Sequence, residues 1–177
     1  DVVESYFALR TVEIKNLDGV NRVCLNGKPI FMHAVLDQGY FEDGIYLPEK
    51  EEEYEKDILR MKELGYNTLR KHIKIEPEQF YYDCDRLGMF VLQDMVNNGK
   101  YSFLYDTALP TIGLKTLPRS EPKSVRDVFY ETAESTLDLL YNHPSIVYYT
   151  IFNEGWGQHN ADKAYDTLKP LDPTRIF

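Results

Sequence analysis

Apolar and polar positions change period several times along the chain, and the changes divide it into elements. Residues 5–14 alternate and are rich in β-branched side chains, which predicts a strand. Residues 15–19 form a turn signal, 22–25 a short apolar run, and Asn26-Gly27 the strongest hairpin signal in the chain. That turn leads into 28–32, and a second apolar run, 30–36, ends in Asp37, Gln38 and Gly39. From Pro48 the period lengthens. Tyr54, Ile58, Met61 and Leu64 fall at helical spacing, Glu51, Glu52, Glu55 and Lys56 fill the polar face, and Gly65 is placed to cap. Glu52 and Lys56 are four apart, the spacing of a helical ion pair.

The same unit then repeats. Residues 67–73 read as a strand with Arg70 and His72 on one side, 77–87 as a helix capped by Gly88, and 89–95 as a strand ending near Asp94. Residues 96–122 make a long connection of the kind that is usually functional or disordered. Val125 to Tyr141 form an amphipathic helix that stops before His143-Pro144. Residues 146–152 are a continuous apolar run, as in a strand buried on both faces, and they end abruptly at Asn153-Glu154. A last helix, 161–168, precedes 175–177, which read as the start of a fifth strand. Repeated β/α units imply a parallel sheet whose strands near 30–36, 67–73, 89–95 and 146–153 lie adjacent in that order. The fold class is therefore α/β, either a doubly wound open sheet or the first four to five units of a (β/α) barrel behind a short β-hairpin. No Gly-x-Gly-x-x-Gly follows a strand, which disfavours a dinucleotide fold.

Composition narrows the partners. The 177 residues carry a net charge of −9, which argues against nucleic acid. No apolar stretch is long enough to span a membrane. Cys24 and Cys84 read as reduced core residues, and Asp83-Cys84-Asp85 as structural, so neither metal nor cofactor is expected. The chain opens at Asp1 without Met, so a missing leader pattern says nothing of compartment.

The candidate chemistry collects at strand ends. A carboxylate at the mouth of a buried strand is costly unless paired or functional. Glu154 beside Asn153, with the lone tryptophan Trp156 two residues on, has the equipment of a sugar site: an acid, an amide and a stacking ring. The plainer alternative is a strand that ends in a polar turn with Glu154 solvated. Arg70, His72, Asp94 and Asp37 join the candidate set as strand-end groups, each with a bland counterpart as an ion pair, a hydrogen-bonded histidine or a loop cap. Tyr149, Ile151 and Trp156 are the candidates for an apolar surround that keeps the acid protonated.

Residues 5–13, 25–31, 82–88, 142–146 and 152–154 resemble, in this order, motifs of glycoside hydrolase family 2, which includes β-galactosidases, β-glucuronidases and β-mannosidases. The resemblance implies that residues 1–20 are the exit from an immunoglobulin-like sandwich and 21–177 the N-terminal half of a (β/α)8 barrel. It makes Glu154 the general acid/base and Asn153 the residue that binds the sugar 2-hydroxyl. The family nucleophile is a glutamate ending strand seven, whereas this sequence stops near strand five. The expectation is part of a retaining β-glycosidase that is inactive alone, with carbohydrate as its partner. A non-catalytic carbohydrate-binding or scaffolding domain is the alternative. Departures leave specificity open: His72 is displaced by one from the commoner pattern, and Asp37-Gln38 replace a basic residue and a histidine. Two half-barrels with open edges are also expected to self-associate.

Overall fold

Two X-Gly pairs build the first sheet. In the computed structural model, which describes residues 1–97, 99, 101–114, 122–154 and 157–177, Asp18-Gly19 and Asn26-Gly27 all have positive φ. Such two-residue turns match the twist of the strands they join. They link β1 (Val12–Leu17), β2 (Val20–Leu25) and β3 (Lys28–Pro29) into an antiparallel sheet. The first strand thus begins at Val12 rather than residue 5, and the expected boundary at 20/21 falls inside a hairpin.

The second sheet is parallel, with β4 (Ala34–Asp37), β5 (Thr68–Lys71), β6 (Phe90–Asp94) and β7 (Ile146–Thr150) adjacent in chain order. Helices α1 (Glu52–Glu63), α2 (Glu78–Leu87) and α4 (Lys123–Leu140) form the crossovers, and α5 (Ala161–Leu168) follows β7. Between β6 and α4 a π-helical turn, Phe103–Ala108, runs into the short α3 (Leu109–Thr111). Ile176 makes a parallel bridge to Tyr148, which is the expected start of a fifth strand. A bulge between Val91 and Leu92 shifts the register of β6 on β7. Among the described residues no helix is long and apolar enough to cross a membrane.

The core lies between sheet and helices, around Ile58, Leu69, Tyr81, Met89, Ile146 and Leu137. Each such side chain contributes about 1.5–3 kcal/mol on burial. Both cysteines are free and buried. Leu64, just past the end of α1, is exposed instead of joining this face, and Lys56 pairs with Glu53 at 2.5 Å, not with Glu52. Gly88 closes α2 in the left-handed conformation that only glycine adopts cheaply.

The N-terminal ends of the strands are tied by charge. Arg10 donates to the carbonyls of Pro144 and Ile146 at 2.8 Å. Buried Arg175 donates to those of Ile146, Tyr141 and His143 and pairs with Asp172. Asp85 accepts from Tyr6 at 2.6 Å and from the Ser145 N–H at 2.7 Å, and its other partner, His143 Nδ1, is at 2.7 Å. Burial raises the Asp85 carboxyl, but these hydrogen bonds outweigh it and the group ends below the usual carboxylate range. A depressed native value gives stability that is present above the ordinary pKa of about 3.9 and lost as pH falls through the native value. Asp85→Asn is therefore expected to lower the urea midpoint at neutral pH and to flatten its fall as pH drops below the ordinary carboxylate pKa of about 3.9. An unchanged acid limb would remove Asp85 from the tie.

Candidate active site

Register and alternation decide which side chains reach the face of the parallel sheet that the helices leave uncovered. Leu36, Arg70, Leu92 and Tyr148 stand opposite one another across the four strands, and so do Asp37, Lys71, Gln93 and Tyr149. Successive residues of a strand point to opposite faces. Lys71, Gln93 and Tyr149 are fully buried, so their row lies under the helices, while the row with Arg70 faces the inner side.

On that inner side, past the C-terminal ends of the strands, Arg70 organises a polar group. Its Nε donates to Asp94 Oδ1 at 3.1 Å and its Nη2 to Asp94 Oδ2 at 3.0 Å, a two-point contact. The same Nη2 donates to Asn153 Oδ1 at 2.6 Å. A guanidinium only donates, so the Asn153 oxygen must face it and the amide NH2 turns away. The backbone N–H of Asn153 is held by Asn97 Oδ1 at 3.4 Å. Glu154 comes next in the chain, at the same strand end, and is exposed. Arg70 thus brings Asp94 and Asn153 together. The Asp94 side chain is wholly buried and both its oxygens are engaged, so it acts through Arg70.

His72 lies one residue past β5, where its N–H donates to Asp37 O at 2.9 Å, and its Nδ1 is 3.4 Å from Gln38 Nε2. Asp37 sits at the same end of the sheet but is not brought to the Arg70 group. Its odd position relative to Leu36 turns it to the helix side, where it pairs with Lys71 at 2.7 Å. Tyr149 is likewise on the helix side, with its ring 5.2 Å from that of Phe177, and cannot line the surround of Glu154. Burial pushes its phenol well up. Trp156 lies outside the described residues. A cavity of about 290 Å³ between β4, β5 and α1 is also on the helix side, away from Arg70 and Asn153.

Sequence reasoning did not single out Asn97, Lys71, Lys74 or Glu76. Alternation alone could have flagged Lys71, since a lysine between Arg70 and His72 must point into the helix layer and find a counter-charge there. Among the described residues no group of three or more metal-ligating side chains occurs.

The family model for the TIM barrel domain of glycosyl hydrolases family 2 matches residues 12–177. The chain belongs to glycoside hydrolase family 2. Its parallel strands are accordingly strands of the family's barrel, and the polar group lies at the strand ends where barrels place their chemistry. A β-galactosidase of Leuconostoc mesenteroides is 28% identical over 170 residues, which cover 94% of this chain and 15% of that protein. One from Enterobacter cloacae is 31% identical over 168 residues, with the same two shares. The chain thus spans about 15% of the length of these curated relatives. The β-D-glucuronidase of Dictyoglomus thermophilum superposes with a TM-score of 0.75 at 16% identity, over 96% of this chain and 28% of that one. A family 2 β-galacturonidase from Eisenbergiella tayi gives 0.73 at 19% identity, over 94% and 27%. At such identities the likeness speaks to the fold.

Proposed function

We propose that this chain carries the acid/base half of a retaining β-glycosidase, in line with its β-galactosidase relatives. The observation that carries the reading is the Arg70 guanidinium spread over Asp94 and Asn153, which fixes the side-chain amide beside Glu154. In that reaction one carboxylic acid protonates the leaving oxygen and then, as carboxylate, takes a proton from water, while a second carboxylate forms the glycosyl-enzyme. Glu154 takes the first role. Asn153 offers its NH2 to a sugar oxygen, by the resemblance the 2-hydroxyl, and Arg70 keeps that amide from flipping. Trp156 is the candidate stacking ring. The nucleophile comes from a later barrel strand, so the 177 residues alone give no turnover.

A non-catalytic carbohydrate-binding or scaffolding role has one observation on its side: Glu154 is exposed, whereas an acid that works near neutral pH needs a closed, apolar surround. Turnover separates the two readings. The product of the whole open reading frame is expected to cleave an aryl β-glycoside, with the β-anomer of the free sugar appearing first in the proton NMR spectrum. The α-anomer first would exclude retention, and no cleavage across a panel of β-glycosides would favour the binding role.

A further inference from the structure

Directly behind the inner face, four charged side chains meet at the ends of β4 and β5, three of them buried and Asp37 28% exposed. Lys71 Nζ lies 2.7 Å from Asp37 Oδ2 and 2.8 Å from Glu76 Oε1, and Lys74 Nζ lies 2.9 Å from the same Glu76 oxygen. The side chains of Lys71, Lys74 and Glu76 are 1%, 3% and 0% exposed. The Tyr54 hydroxyl donates to Glu76 Oε2 at 3.0 Å. Two cations face two anions, so the group is neutral, yet apolar residues of like volume are often at least as stable in such a place. What the charges hold is the loop after β4. Lys74 donates to the carbonyl of Gly39 at 2.5 Å and to that of Tyr46, and its ammonium stands 4.3 Å from the Tyr46 ring centre. Both ends of the loop are thereby tied to one cation. Within it, Phe41 and Ile45 exchange backbone hydrogen bonds of 2.9 Å. Gly39, at φ +67°, packs so closely that a Cβ would come within 2.1 Å of Glu76 Oε1. The residue before Gly39 is Gln38, exposed and 3.4 Å from His72 Nδ1.

We propose that Lys74, oriented by Glu76, is a positioning residue for substrate recognition. It draws residues 39–46 to the helix side and so holds Gln38, paired with His72, at the inner rim, where the two polar groups read the hydroxyl pattern of the sugar. The clamp stands on geometry alone; its consequence for substrate rests on the glycosidase reading. The tests use the product of the whole open reading frame. Lys74→Met removes both carbonyl anchors and leaves the Lys71–Glu76 pair in place. Amide hydrogen exchange at Phe41, Ile45 and Tyr46 should then speed up about ten-fold or more without a matching change in β6. On an aryl β-glycoside, kcat/KM should fall about ten-fold, chiefly through KM. In a Gln38→Ala background the same substitution should cost less than about two-fold, because its effect passes through Gln38. Unchanged exchange in the loop, or an equal loss in both backgrounds, would overturn the proposal. Tyr54→Phe, which removes only the hydroxyl that orients Glu76, should show the same pattern at smaller amplitude and decides the matter should Lys74→Met not fold. A wild-type protein that cleaves no glycoside sinks the glycosidase reading, while the exchange measurement still decides the clamp.

Discussion

Glu154→Gln, in the product of the whole open reading frame, is expected to slow the hydrolysis of glycosides with poor leaving groups by about 10²–10⁴-fold. An amide can neither give the proton that an alkoxide needs as it departs nor take one from the attacking water. A leaving group that is already a stable anion needs little of the first service. Aryl glycosides of acidic phenols should therefore keep most of their first-step rate, seen as a burst of phenol, and stall at the second step. The loss would then grow with the pKa of the leaving group. A loss equal across leaving groups would mean that the proton comes from another residue and that Glu154 only shapes the site.

Arg70→Met should be the most damaging change to the structure. Asp94 is wholly buried and Arg70 occupies both of its oxygens, so the variant leaves an uncompensated charge at a cost of about 3–5 kcal/mol. Removing both charges, as Arg70→Met with Asp94→Leu, should recover most of that loss in chemical denaturation. Arg70→Lys should fall between, because one ammonium cannot span two carboxylate oxygens and the Asn153 amide at once. A double variant no more stable than the single one would show that Arg70 supports the fold by packing and not by its charge.

Much of this architecture was legible in the sequence where a local rule dominates. Asn26-Gly27 made its turn, Gly88 its cap, and the repeated helix-to-strand steps gave four parallel strands in chain order. Boundaries failed where side chains replaced the ladder. Residues 5–10 alternate like a strand, but they are held through side chains, with Tyr6 on Asp85 and Arg10 on the carbonyls of Pro144 and Ile146. The strand expected over 30–36 begins only at Ala34, because the Asn67 side chain takes the Phe31 carbonyl at 2.8 Å and the His33 N–H at 2.9 Å.

The site divided in the same way. Arg70 and Asp94 were readable as strand-end polar groups on even parity, and they meet Asn153, which lies past the end of β7 where alternation no longer applies. Asp37 and Tyr149 stand one step out of that parity, and so they face the helices. The charge cluster behind them was not legible as a whole. Parity turns Lys71 outward, but Lys74 and Glu76 lie in a loop whose path no period encodes.

The central claim, that Glu154 is the acid/base, is tested most directly by removing its carboxylate and supplying a nucleophile that needs no base. Glu154→Ala, incubated with an aryl β-glycoside of a good leaving group, should accumulate the glycosyl-enzyme and turn over slowly in water. Sodium azide should then restore turnover and yield the β-glycosyl azide, identified by its proton NMR spectrum. A variant whose turnover ignores azide and whose only product is the free sugar would contradict the assignment.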